Sequence, residues 1–504
     1  MESRSKRHCW ECRRRCLVCD FTKPACRRCS AAGVECPGYS QVKPTRLKWL
    51  TPGKVTSRSR RLKATSRLGD TKSDYPQATA IETTEILDMR VHVPPFKMMT
   101  DICALPQAAE YFNTCIYPDL VPIHQFGQNP HIYPLTAKHL RVGATIPEYV
   151  QYGMVCMTLS HRINRTRTDL QASEILLERF YLYWGLATRS LSEYLNVENA
   201  RTSDMVIVGI LTLLLADVQN GTLLNWQCHM EGVHKVISLR GGFHAVAGSK
   251  RLEPLLLVLW SVAVIGNTTC PVSDLSMTGV QLDATEAIME HFAISASPFH
   301  MCPLQLYGEI IRINHLRARV LIAKASDITS EADEILERIH DFSPEKWAKS
   351  KPQFTPSSTE DWMLLGSVHQ SAVAIYCILS LQSISVFPTS QALRARCVAH
   401  RQILQTLLQR ALPCPKMKRF IIWPLVLLGV EAVHAGTEVR NFVAKHLPQL
   451  SRDLGTSVPL TAKYVLERFW GSGETRWDMC FDRPYVFTAQ LAVDTSRLAV
   501  YDEC

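Results

Sequence analysis

Long hydrophobic runs are missing from this chain. None reaches the roughly 18 apolar residues that a bilayer-spanning helix needs; the nearest, Met205 to Ala216, stops at Asp217. The N-terminus reads MESRSKRHCWECRRR and has no apolar core for a secretory signal, so no cleavable signal is expected. The usual catalytic arrangements are also lacking. There is no H-E-x-x-H for a catalytic zinc and no G-x-S-x-G for a nucleophilic serine. The stretch Gly242 to Lys250 (GFHAVAGSK) is no phosphate loop: its glycines stand six positions apart rather than five, and Ser249 precedes the lysine. An enzyme is therefore not expected. Strand-like alternation and hairpin turns are scarce. A soluble protein of the reducing cell interior is expected, with cysteines that serve as thiols or metal ligands rather than disulfides.

The chain has 504 residues, 46% hydrophobic and 20% charged, enough for one small module and one large core. Its net charge of +10 is unevenly placed. Residues 1–72 hold 19 Lys/Arg against 5 Asp/Glu, whereas the remainder holds 37 against 41. A chain that must meet a polyanion is expected to be basic where it does so.

Seven of the 18 cysteines lie between positions 9 and 36. Cys9, Cys12 and Cys19 follow C-x2-C-x6-C; Cys26, Cys29 and Cys36 repeat it after a gap of six residues. Zinc favours four thiolates in a tetrahedron, so six cysteines make two sites only if two of them bridge both ions. A redox or metal-buffering cysteine tract is the competing reading. A module this small has almost no apolar core, so metal binding must supply most of its folding energy. The other eleven cysteines show no metal spacing, and most of them read as small buried hydrophobes.

This doubled spacing, with Pro24 between the halves, resembles the fungal binuclear zinc-cluster family. The resemblance implies two zinc ions. Cys9, Cys12, Cys19 and Cys26 would hold one and Cys9, Cys26, Cys29 and Cys36 the other, with Cys9 and Cys26 bridging. It also implies double-stranded DNA as partner, at CGG-type sites, with a first short helix from about Trp10 to Leu17 in the major groove. That helix carries Arg13, Arg14 and Arg15, whose planar forks suit guanine O6 and N7. Lys23, Arg27 and Arg28 in the second half are expected at phosphates, which position without specifying. Where the family usually has a run of basic residues, this chain reads Arg13-Arg14-Arg15-Cys16-Leu17-Val18. A close subfamily shares the Leu-Val but keeps a fourth arginine, so Cys16 is the departure. It is either a tolerated substitution, a competitor of Cys19 for metal, or a redox-sensitive thiol.

After Pro37-Gly38-Tyr39 comes a basic, turn-rich stretch in which Lys48 to Val55 (KWLTPGKV) resembles the extension seen in the same subfamily. Arg58, Arg60, Arg61 and Lys63 form either a nuclear import patch or a second phosphate contact. No sustained heptad follows, because Ile81, Ile86 and Leu87 are too few and Pro94-Pro95 ends any helix. A monomer, or a dimer formed through the large domain, is expected rather than a zipper.

From residue 101 onward apolar residues recur at spacings of three and four, as in Met205 to Leu215, Leu255 to Val264, Ile310 to Ile322, Ile403 to Leu412 and Ala462 to Trp470. This predicts helices packed on shared apolar faces. Four loose patterns resemble the fungal-specific transcription factor domain. They are Trp226-x2-His229-x2-Gly232 with Ile237-x2-Arg240-Gly241-Gly242; Cys302-Pro303 with Ile313-Asn314-His315-Leu316-Arg317; Phe342 to Ala348 (FSPEKWA); and Phe469-Trp470 through Trp477 to Asp482 and Pro484-Tyr485. His229 is expected to be a packing residue rather than a ligand.

The sequence thus predicts a small two-zinc module with two short helices over 1–40, a flexible basic linker over 41–100, and a large all-α regulatory domain over 101–504. The expected function is zinc-dependent, sequence-specific transcription regulation in the nucleus, activating a pathway such as a secondary-metabolite cluster or a drug or nutrient response. Co-regulators and a small-molecule effector are further expected partners. The alternative is a nuclear interaction protein whose cluster has lost base reading through Cys16. One good base contact is worth about 1–3 kcal/mol of discrimination. Cys16→Arg should therefore tighten binding to CGG-type sites, and equal affinities in a titration at fixed salt would exclude this role for Cys16.

Overall fold

The protein's structure, a computed structural model, describes residues 9, 12, 19–34, 36, 104–127, 132–167, 170–198, 200–221, 226–247, 249, 252–295, 302–320, 325–351 and 358–488. The chain divides into two compact units, Met1–Asp88 and Met89–Cys504. In the first unit, helix α1 spans Arg27–Ala31. The first short helix expected over residues 10–17 lies outside the described residues apart from Cys12, which is helical.

Every regular element among the described residues of the second unit is helical. Its helices of ten residues or more are α2 (Glu148–Arg165), α3 (Leu170–Leu195), α4 (Asp204–Asn220), α5 (Trp226–Leu239), α6 (Glu253–Thr268), α7 (Thr285–Ser295) and α8 (Leu304–Arg319), followed by α9 (Ala325–Asp341), α10 (Ser358–Ser383), α11 (Gln391–Ala411), α12 (Ile422–Glu431), α13 (Thr437–Leu454) and α14 (Val458–Ser472). The predicted windows fall on α4, α6, α8, α11 and α14. The window from Ile310 is helical through Arg319, and the one from Ile403 runs to Leu412, the C-cap of α11.

Helix α10 is the central element. After a first turn that carries Glu360 and Asp361, this 26-residue helix is apolar on all sides, with a best 18-residue window of mean hydropathy 1.5, long and apolar enough to cross a membrane. Within the fold, 89% of that window is buried. Helices α8, α9, α11 and α12 pack around it. A helix that is hydrophobic all round belongs inside a core, and this one is covered by its neighbours.

The four sequence patterns prove to be structural devices. In the first, α5 ends at Gly241 and Gly242, whose φ values of 94° and 92° favour glycine. The Gly242 N–H donates to the Ile237 carbonyl at 3.0 Å and closes the helix. His229, on α5, places Nε2 3.2 Å from Asp217 Oδ2 on α4, consistent with a packing histidine. In FSPEKWA, the Ser343 hydroxyl accepts from the Lys346 N–H at 3.3 Å, so Ser343 caps a short helix, Pro344–Lys349, with Pro344 in its first turn. That helix carries Trp347, which meets Trp362 edge-on with ring centres 5.4 Å apart. Gly366 leaves room for the Trp347 ring, since a Cβ there would lie 2.9 Å from it.

The remaining two patterns meet at one side chain. Arg317 on α8 is fully buried. Its guanidinium donates to the carbonyls of Asn267 (3.0 Å) and Cys270 (2.8 Å), the Tyr376 hydroxyl (3.1 Å) and the Asp478 carboxylate (2.8 Å). The last carbonyls of a helix lack intrahelical partners and carry the negative end of its dipole. Arg317 therefore caps the C-terminus of α6. The Trp477 indole donates to the Thr268 carbonyl at 3.2 Å and the Tyr485 N–H to that of Thr269 at 3.1 Å, completing the cap. Burial works against the guanidinium charge, yet Tyr376 and Asp478 hold its pKa above the ordinary arginine value. Arg317→Ala should leave the Asp478 charge and the α6 carbonyls unpaired and destabilise the unit by about 3–5 kcal/mol. Arg317→Lys should restore only part of this, because an ammonium cannot reproduce the planar fork. Urea denaturation of both variants, followed by circular dichroism, measures the difference.

Candidate metal centre and nucleic-acid interface

The small unit has a core made of sulfur. Cys9, Cys12, Cys19, Cys26 and Cys29 are buried, and Phe21 and the half-buried Cys36 pack against them. These six side chains form two overlapping groups, Cys9-Cys12-Cys19-Cys26 and Cys9-Cys26-Cys29-Cys36, with all sulfurs of each group within 4.8 Å of one another. No other group of three or more potential metal ligands occurs among the described residues.

The spacing identifies what the sulfurs suit. Cys9 Sγ lies 3.7 Å from both Cys26 Sγ and Cys29 Sγ, and Cys12 Sγ lies 3.6 Å from Cys26 Sγ. A disulfide would bring two sulfurs to about 2.0 Å. Four thiolates around zinc, each about 2.3 Å from the ion, stand about 3.8 Å apart along the tetrahedral edges. The sulfurs are thus at metal-sharing separations. Backbone N–H groups point at them: Cys12 N–H at Cys9 Sγ (3.4 Å), Cys29 N–H at Cys26 Sγ (3.3 Å) and Cys26 N–H at Cys36 Sγ (3.5 Å). Such bonds delocalise negative charge from the ligand sulfurs. Burial pushes the Cys9 thiol well up and the Cys29 thiol to about 12, so ionised sulfurs here call for a compensating cation.

The basic residues named from the sequence divide. Arg13, Arg14, Arg15 and Cys16 lie outside the described residues, as do Arg58, Arg60, Arg61 and Lys63. Lys23, Arg27 and Arg28 are described, and all three are exposed. Lys23 precedes Pro24 across a cis peptide bond in the loop between the two halves. Arg27 and Arg28 open α1. A cation at a helix N-terminus opposes the macrodipole, so Arg27 does not serve the stability of α1, whereas Arg28 already belongs to the last turn of this five-residue helix.

Sequence reasoning missed Asp20. Its carboxylate accepts from the Arg27 N–H at 3.0 Å and the Thr22 hydroxyl at 3.1 Å, placing the missing negative charge at the start of α1 and tying the first half to the second. Desolvation is the largest single influence and raises its pKa, but the bonds from Arg27 and Thr22 together outweigh it and hold the carboxyl below the usual range. The available signal was an acid directly after Cys19 in an otherwise basic stretch.

Two family descriptions match. Residues 7–46 match the fungal Zn(2)-Cys(6) binuclear cluster domain, and residues 108–480 match the fungal specific transcription factor domain. The chain belongs to the fungal zinc-cluster transcription factors. It is 48% identical, over 99% of its own length and 92% of the relative's, to a phomenoic acid biosynthesis cluster-specific transcriptional regulator of Leptosphaeria maculans. No solved structure matches. The two families and the relative point to a regulatory rather than a catalytic role.

Since sulfur supplies nearly all of this core, removing metal should unfold residues 9–36 and spare the helical unit. Treatment with a strong chelator is expected to open the N-terminal segment to protease while the helical circular dichroism signal persists. An N-terminal segment that stays resistant would rule out metal as its organiser.

Proposed function

We propose that this protein is a zinc-dependent, sequence-specific DNA-binding regulator of RNA polymerase II genes that activates a biosynthetic gene cluster. One observation carries the reading: two four-sulfur groups that share Cys9 and Cys26, with exposed Lys23, Arg27 and Arg28 beside them. In this reading two zinc ions are held, one by Cys9, Cys12, Cys19 and Cys26, the other by Cys9, Cys26, Cys29 and Cys36. Zinc supplies the charge that keeps the thiolates together and acts as a structural ion. Arg13, Arg14 and Arg15 read base edges at CGG-type sites, and Lys23, Arg27 and Arg28 hold phosphates. Arg58, Arg60, Arg61 and Lys63 serve nuclear import. The domains run 1–40, 41–100 and 101–504.

The relative regulates a biosynthesis cluster. Its identity to this chain extends over both units, which supports the same class of target. A small-molecule effector, in this reading, has a place in the helical unit, where a cleft of about 760 Å³ is lined by Trp226, Glu231, Asp274, Arg483 and Tyr485 among others.

Cys26 is common to both sulfur groups, so Cys26→Ala should abolish metal loading at both. Genome-wide mapping of bound sites should give discrete peaks for the wild type and none for Cys26→Ala. Transcripts of a biosynthetic cluster should fall in the same variant. Identical maps would refute the reading. Binding with a steep salt dependence and no sequence preference would instead show that phosphate contacts alone remain.

A further inference from the structure

Among the described residues, nothing covers one face of helix α3. Ile175 is 51% exposed and Leu182 54% exposed, although both are large apolar side chains on a 26-residue helix whose opposite face enters the core. Gly185 lies one turn beyond Leu182 on the same face. A Cβ built there meets nothing within 4 Å, so nothing within the described part of the subunit requires a glycine. Glycine inside a helix costs about 1 kcal/mol relative to alanine. Its presence makes sense if something approaches the backbone closely from outside.

The charges on this face are arranged in a self-complementary way. Glu178 and Arg189 are both exposed and, among the described residues, neither has an ion pair. Each stands about 8 Å along the axis from the midpoint between Leu182 and Gly185, on opposite sides, given a rise of 1.5 Å per residue. A two-fold axis through that midpoint would turn a second α3 antiparallel to the first. Leu182 of each copy would then face Gly185 of the other, and Glu178 would face Arg189 twice. A two-fold interface requires this kind of self-match. Glu174 and Glu193 lie towards the ends of the stripe in water, where like-charge repulsion is screened over about 8 Å.

We propose that α3 is a homodimerisation surface, pairing antiparallel with α3 of a second copy of this chain, with Leu182 seated on Gly185 and Glu178 paired with Arg189. A single helix pair is small beside the roughly 1,600 Å² of a standard stable interface, so the dimer dissociates on dilution.

Sedimentation of the full-length protein over a concentration series tests this. The wild type should show a reversible monomer–dimer equilibrium. Leu182→Glu should raise the dissociation constant by more than about tenfold, and Glu178→Arg and Arg189→Glu should each raise it by about tenfold. The double reversal of Glu178→Arg with Arg189→Glu should return it close to the wild-type value. All three substituted side chains are exposed, so unchanged thermal unfolding serves as the control for folding. A wild type that stays monomeric at every concentration, a dimer insensitive to Leu182→Glu, or a double reversal as weak as the single ones would each overturn the proposal. None of these readouts involves DNA or zinc, so the result stands apart from the proposed function.

Discussion

The guanidinium of Arg317 holds together parts of the helical unit that are far apart in the chain. It reaches the buried C-terminal end of α6, α10 through Tyr376, and the C-terminal segment through Asp478, 161 residues away. Each partner would be a liability alone. The α6 carbonyls have no helical donor, and Arg317 itself is a fully buried charge. Brought together, they satisfy one another, and the side chains of Trp477 and Trp423 close over the same turn through Thr268. A buried charge of this kind excludes alternatives as much as it stabilises, because any register that separates Arg317 from Asp478 leaves both unpaired.

This explains what could be read from the sequence and what could not. Periodic apolar spacing is a local signal, so the windows on α4, α6 and α14 were legible. The metal centre was legible for a related reason: ligand spacing is imposed by the ion rather than by the rest of the fold. The joining of Asn314-His315-Leu316-Arg317 to Trp477-Asp478 is a long-range event, and neither segment signals its partner. Asp20 escaped notice because its role depends on where the Arg27 N–H comes to lie, a matter of backbone geometry. Membrane-like composition misleads in the same way: α10 is long and apolar enough for a spanning helix, yet it is wrapped by α8, α9, α11, α12 and the short helix Pro344–Lys349.

The two units solve the problem of stability by opposite means. The helical unit buries aromatic and aliphatic side chains and uses six of its described cysteines as packing, while Cys228 is exposed and Cys115 and Cys414 are half-buried. Cys156, Cys270, Cys302, Cys377, Cys397 and Cys480 are all buried, with thiols held protonated by desolvation in each case. The small unit has too little chain for such a core and places the same residue type where its charged form is useful. One side chain thus plays two physical roles, separated by what surrounds the sulfur.

The cage of the small unit is assembled from sulfur, backbone N–H groups and the single carboxylate of Asp20. Arg27 contributes its N–H to that cage and its side chain to the surface. Folding and surface chemistry are therefore uncoupled at the level of individual residues. The exposed side chains of Lys23, Arg27 and Arg28 stand outside that cage. A lineage of such modules is free to diversify its outward chemistry while every intermediate remains a folded protein, which makes the architecture unusually evolvable.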